Sequence, residues 1–192
     1  MATRFLRLFA ARTKPNHLDL PGVDRPFVHD AADVLSGDVD VGDRIVVVGG
    51  GLVGAEVAIE LAETGKHVTI VEMLSQIMSD CTTNDRVAFG EWLEELGVVI
   101  HVDHIVTEIP EESIVAVGAT GSLLKLAVDS VVMAVGNAPD RELVEELLQA
   151  PGHNVYEIGD SIRPGKIFDA NYSRNRTALG VKAGVSADPK EV

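Results

Sequence analysis

The sequence predicts an α/β fold, a mostly parallel sheet flanked by helices and carrying a three-stranded antiparallel meander. Three observations support this. Residues 45–72, IVVVGGGLVGAEVAIELAETGKHVTIVE, pass from a β-branched run through a glycine cluster into a helix-forming segment and out into a second β-branched run, the order strand, turn, helix, strand. Later apolar runs, Val98–Val102, Ser130–Val135 and Asn154–Ile158, have the length and composition of further buried strands. Between the first two of these lie His104–Ile109, Ser113–Val117 and Leu123–Val128, joined by turns too short for a crossover, so they pair antiparallel.

In chain order, the first eighteen residues carry Arg4, Arg7, Arg12 and Lys14 and no acid, against a strongly acidic remainder. Such a start is either a transit peptide or the altered end of a shortened domain. Pro21-Gly22-Val23-Asp24 is a turn signal, and Ala31, Ala32, Val34 and Leu35 predict one short helix within Val28–Gly37. Thr83–Leu96 is predicted as a helix whose core face is Phe89, Trp92, Leu93 and Leu96, stopped by Gly97. His101 and Asp103 are expected on one face of an extended chain and His104 on the other, which gives no metal site. Asn137–Asp140 is read as a turn opening the helix Arg141–Gln149, with Asp140 as N-cap and Leu143, Leu147 and Leu148 buried. Gly159-Asp160 follows the last strand, and by spacing alone is a turn with a capping acid.

The chain has 192 residues, enough to bury roughly 70% of its unfolded surface. A formal charge of -14 argues against nucleic acid or an anionic membrane as the main partner. One cysteine, Cys81, makes neither an internal disulfide nor a cysteine-built metal site, and no apolar run reaches transmembrane length. A reducing cytoplasm is the expected location.

The glycine cluster is where the predicted fold meets a ligand. Gly49 permits a tight turn, Gly51 lets the backbone approach a pyrophosphate, and Gly54 lets the helix pack closely on the strand. Gly50, Leu52 and Val53 complete the turn, and the N–H groups of the new helix face the pyrophosphate. Glu72 lies about 20 residues beyond Gly51, where a strand-end carboxylate accepts from an adenosine ribose. A carboxylate there repels a 2′-phosphate, and Met73 and Leu74 supply no cation, so NADH is expected over NADPH. Glu56, Glu60 and Glu63 share one helix side. Glu56 is thus either part of a solvated stripe or a residue beside the nucleotide. No side chain stands out as a catalytic acid, base or nucleophile.

Taken together and in order, PGVD, DVLSG, GGGLVGAE, TIVEML, AVG with NAPDREL, VYEIGD and RPGKIFDA resemble a known arrangement. It is the C-terminal part of the two-dinucleotide-binding flavoproteins joined to an Old Yellow Enzyme type barrel, the 2,4-dienoyl-CoA reductase, 2-enoate reductase and trimethylamine dehydrogenase group. The resemblance implies a Rossmann-like FAD/NAD(P)-binding fold. It divides the chain into an N-terminal remnant (1–20), an NAD(P)-binding domain (21–150), the final segment of an incomplete FAD-binding domain (151–183) and a tail (184–192). It also implies that Glu56 lies near the nicotinamide, that Gly136 permits close nucleotide approach, and that Asp160, with Gly159, meets the ribityl chain of FAD.

Where that group has an ATGA-x-P strand, this chain has Ala10-Ala11-Arg12-Thr13-Lys14-Pro15, with Arg12 in a glycine's place, and it lacks a first G-x-G-x-x-G. The expectation is therefore the NADH-binding portion of a flavin-dependent oxidoreductase, shortened, with a homodimer or a partner flavoprotein chain completing it. The alternative is a nucleotide-binding module without turnover.

Overall fold

A computed structural model describes residues 6–9, 13–149, 154–165 and 167–183, so Arg12 and the 184–192 tail lie outside it. The elements in order are β1 (Leu6–Phe9), β2 (Thr13–Pro15), β3 (Val28–Asp30), α1 (Ala31–Leu35), β4 (Arg44–Val48), α2 (Leu52–Glu63), β5 (His67–Val71), α3 (Thr83–Glu95) and β6 (Val99–His101). Then follow β7 (His104–Glu108), β8 (Ser113–Gly118), β9 (Leu123–Ala127), β10 (Ser130–Met133), β11 (Asn137–Pro139), α4 (Glu142–Gln149), β12 (Asn154–Glu157), a 3-10 turn at Gly159–Ser161 and α5 (Ile167–Ala183). They fall into two units, His17–Gly136 and the pair of segments Met1–Asn16 and Asn137–Val192.

In the His17–Gly136 unit, β3-β10-β4-β5-β6 form an all-parallel five-stranded sheet. Successive side chains on a strand point to opposite faces. Ile45, Val47, Val68, Ile70 and Val132 accordingly pack with Ala55, Val57, Ala58 and Leu61 of α2. Val46, Val48, Val71, Val131 and Met133 pack instead with Val106, Ile114 and Ala116 of the meander β7-β8-β9. The sheet is covered on both sides, and that is why β4 is an unbroken apolar run rather than an alternating one.

The short helix expected within Val28–Gly37 does form, at Ala31–Leu35, while Val28–Asp30 just ahead of it finds a parallel partner in Val131–Met133 and becomes the edge strand. Several local expectations are corrected. In α3, Leu93 is fully buried, with Phe89 and Leu96 half-buried beside it, but Trp92 is 45% exposed. Phe89, Leu93 and Leu96 form the seam at i, i+4 and i+7, and Trp92 sits one flank round the helix. Asp103 adopts φ +55°, which breaks the alternation and brings the His101 and His104 rings edge to face at 5.7 Å.

In the other unit, β1 pairs parallel with β12 and β2 pairs antiparallel with β11. Asn137–Pro139 is thus a short strand rather than a turn, and α4 opens at Glu142 under Asp140, whose Oδ1 lies 3.5 Å from the Glu142 N–H. Val144 is the buried residue of α4, Leu147 is half-buried, and Leu148 is exposed, contrary to the expected face; the Leu143 side chain lies outside the described set. Among the described residues no helix is long and apolar enough to cross a membrane.

At the amino ends of β4 and β10, the Asp129 carboxylate takes the Arg44 guanidinium at 2.6 Å and the Arg44 N–H at 2.8 Å. These bonds hold the Asp129 carboxyl down at about 2. A carboxyl depressed in the folded state stabilises above its ordinary value and loses that contribution as pH falls through the folded one. Asp129→Asn should therefore lower the midpoint of urea unfolding at pH 5 to 7, with the difference from the parent shrinking between pH 4 and 2. A difference that stays constant across that window would contradict the assignment.

Candidate functional site

The carboxyl ends of β4, β5 and β6 meet the start of α2, and the predicted glycine cluster lies there. Gly49 has φ +103°, and its N–H donates to the Val71 carbonyl at 2.9 Å. A Cβ on Gly49 would collide with the Ala134 carbonyl oxygen, and one on Gly54 with the Gly49 carbonyl oxygen. Gly54 therefore sets the close approach of α2 to β4, as the spacing predicts. Gly50 is packed from below, where a Cβ would lie 2.7 Å from Ile77 Cγ2 and 3.1 Å from Glu72 Cβ.

Gly51 is different. It is the N-cap of α2 with φ -69° and ψ -173°, a conformation open to any residue, and a Cβ there would meet nothing within 4 Å. The fold itself does not demand glycine at this position, whereas a ligand lying against the backbone does. The first helical bond is Ala55 N–H to the Gly51 carbonyl at 3.0 Å. The N–H groups of Leu52, Val53 and Gly54 precede it and have no acceptor within the helix. Leu52 packs partly against the core, while the Val53 and Glu56 side chains are exposed.

Glu72 is only 7% exposed. Its Oε2 accepts from the Gly50 N–H at 2.5 Å and its Oε1 from the Leu74 N–H at 2.7 Å. Each carboxylate oxygen has a further lone pair for a ligand hydroxyl. The surrounding backbone is strapped by residues 101–104: Glu72 N–H donates to the His101 carbonyl at 2.8 Å, His104 N–H to the Glu72 carbonyl at 3.0 Å, and Asp103 N–H to the Leu74 carbonyl at 2.9 Å. Burial, and then the neighbouring His104, draw His101 below the usual imidazole value.

Two contributors have no signature in the sequence. The Met78 N–H donates to the Gly50 carbonyl at 2.7 Å with Met78 at φ +49°, and Ile77 fills the space beneath Gly50. Both come from the segment after Glu72, whose positive φ falls on a residue type that rarely adopts it.

Gly136, beyond β10, is exposed with φ +83°. In the other unit Gly159 and Asp160 follow β12 after Ile158. Gly159 has φ +62°, its N–H donates to Ser173 Oγ at 2.9 Å, and Asp160 Oδ1 accepts from the Gly165 N–H at 3.3 Å. Arg141 braces this end of β12, reaching Glu157 at 3.0 Å and the Ser161 carbonyl at 3.4 Å. Among the described residues no three His, Cys, Asp or Glu side chains are disposed to hold a metal ion.

A parallel sheet ending in a glycine turn, a bare helix start and a clamped acid defines an α/β protein of the Rossmann-like FAD/NAD-binding class. Residues 8–166 match the pyridine nucleotide-disulphide oxidoreductase family, and the chain belongs to that family. It is 40% identical over 149 residues to an NADH oxidase of Thermoanaerobacter brockii, covering 77% of this chain and 23% of that protein. It is 38% identical over 141 residues to a bilirubin reductase of Mediterraneibacter gnavus, covering 73% and 22%. Among solved structures, a 2-naphthoyl-CoA reductase complex superposes with a TM-score of 0.80 at 26% identity, over 86% of this chain and 25% of that one. The chain thus spans about a quarter of the length of the relatives it matches.

The two helix-start glycines should respond differently to a methyl group. Gly54→Ala forces overlap with the Gly49 carbonyl and should cost about 1–3 kcal/mol in urea unfolding. Gly51→Ala should leave stability within about 0.5 kcal/mol of the parent. Equal losses would show that Gly51 is constrained by the fold after all.

Proposed function

We propose that this chain is the NADH-binding portion of a flavin-dependent oxidoreductase, holding NADH so that hydride passes to an FAD. The observation that carries the reading is Gly51, a glycine at a helix start where the protein itself leaves room for a side chain, next to the buried acid Glu72. Gly49 and Gly54 close the turn. Gly51 with the N–H groups of Leu52 and Val53 receives the pyrophosphate, since a helix start concentrates free donors and positive potential. Glu72 takes the adenosine ribose with its remaining lone pairs. It also sets NADH above NADPH, because its charge opposes a 2′-phosphate and the exposed Met73 and Leu74 offer no cation. Glu56, exposed on the second turn of α2, lies toward the nicotinamide end, with Gly136 allowing close approach.

In the same reading Gly159 and Asp160 meet the ribityl chain of FAD, at the carboxyl end of a parallel strand where α/β folds collect their ligands. The cofactors supply hydride donation and acceptance; the residues of this chain bind, orient and exclude water. The finer family reading is the branch joined to an Old Yellow Enzyme type barrel. The order of the sequence motifs supports it, and an NADH oxidase and a bilirubin reductase more than three times this length among the relatives leave room for such a barrel. The protein then works as a homodimer or with a partner flavoprotein chain, in the cytoplasm.

A second reading is a nucleotide-binding module without turnover, favoured by a site whose organised groups are backbone N–H donors and a clamped carboxylate.

Titration of the purified chain with NADH, followed by nucleotide fluorescence, should show binding below millimolar concentration. NADPH should bind more weakly, and Gly51→Ala should weaken NADH by at least about tenfold, or 1.4 kcal/mol. No binding at millimolar NADH would overturn the proposal. A yellow protein whose flavin band bleaches with NADH supports the catalytic reading, and a colourless protein that binds NADH supports the module.

A further inference from the structure

Two surface features extend beyond the nucleotide site, the second touching it only at Glu56. The first is on α5, which is built with its polarity reversed. Its inward side is Ala170, Ser173 and Thr177, the last 8% exposed, whereas Phe168 is 75%, Tyr172 53% and Leu179 68% exposed. Phe168, Tyr172, Arg176 and Leu179 fall at i, i+4, i+8 and i+11, one face of a helix. The Phe168 and Tyr172 rings stack at 6.3 Å with 16° between their planes. An exposed aromatic stripe of this size marks an interaction surface. In a chain of charge -14, α5 is also locally basic, with Arg174, Arg176 and Lys182 against Asp169 alone.

The second feature is an open groove of about 480 Å³ between α2 and α3. Its floor is Ile59, Phe89 and the exposed Trp92, and its rim is Glu56, Glu60 and Glu63. All three rim carboxylates are exposed, and α2 carries no basic residue. The groove therefore offers aromatic area together with one sign of charge, the environment suited to an aromatic side chain accompanied by a guanidinium.

We infer that the α5 stripe of one copy docks in the α2–α3 groove of a second copy of this chain. The features match in chemistry, apolar rings on an aromatic floor with Arg176 toward the glutamate rim. They also match in length. Phe168 to Arg176 spans about 12 Å of helix and Glu56 to Glu63 about 10.5 Å, at 1.5 Å per residue. The overall repulsion between two acidic chains is screened beyond about 8 Å at physiological salt, so charges in contact at the groove decide the outcome. Each copy carries both features, so the contact joins two copies without a third component. The inference does not depend on the nucleotide reading, and its readout is mass rather than NADH binding.

Sedimentation equilibrium over a concentration series should show a mass rising toward the dimer. Phe168→Glu and Tyr172→Glu should each abolish that rise. Glu60→Arg and Arg176→Glu, made singly, should each weaken association by at least about tenfold, the low end for charge pairs at interfaces. The double variant carrying both reversals in one chain should restore it. All four side chains are exposed, so the fold should survive, which circular dichroism checks. A monomer at every concentration overturns the inference, and so does a dimer indifferent to the single reversals or one that the double variant fails to rescue.

Discussion

The bond from the Gly50 N–H to the Glu72 carboxylate is the constraint on which the glycine turn of this protein depends. A carboxylate taken out of water is costly unless it is hydrogen-bonded, and Glu72 recovers that cost through two charge-assisted bonds to backbone N–H groups. For both to form, the ends of β4 and β5 must lie side by side, Leu74 must fold back over the acid, and Ile77 and Met78 must run beneath the glycine turn. The 101–104 strap then fixes the backbone on either side of Glu72. The turn is therefore organised by the chain's own acid, and a dinucleotide would meet a preformed cradle, with less ordering cost on binding.

That cradle is rigid because the sheet beneath it is buried on both faces. Alternate residues of β4 and β5 go to the helices and to the meander, so no face of the central strands is free to slip in register. A one-residue slip would exchange the two sets and leave β-branched side chains shaped for α2 against the flatter β8. The meander thus does more than decorate the fold. It makes the parallel sheet an interior element and sets the direction in which the strand ends open.

The sequence made the central unit legible because each of its glycines answers a separate physical demand. Gly49 and Gly54 are required by collisions within the chain, Gly51 is not, and all three can be read from spacing between a strand and a helix. The meander was equally legible, since short turns leave antiparallel pairing as the only option. Where tertiary partners decide, the reading slipped. Trp92 is expected in the core because i, i+3 spacing does not tell a wide apolar face from a narrow seam. Met78 and Ile77 could not have been found, because a loop that tucks under a glycine turn has no periodicity. The histidine pair was missed for a related reason: one positive φ at Asp103 undoes the alternation that an extended chain assumes.

The arrangement of these parts bears on what the chain can do. Its organised polar groups are backbone donors at a helix start and carboxylates held at strand ends, which suit the recognition of phosphates and ribose hydroxyls. Proton transfer or covalent chemistry would call instead for a side chain with a shifted pKa facing open space. His101, whose imidazole is drawn below its ordinary value by burial and His104, belongs to the strap whose carbonyl accepts from Glu72, so its surroundings are explained by fold rather than by reaction. Binding energy in such a protein is directed at orienting a cofactor, and rate follows from how closely the cofactor's reactive end is held to its acceptor. On that logic the residues most sensitive to small changes are those that set the height of α2 above β4, and Gly54 governs that distance through its contact with the Gly49 carbonyl.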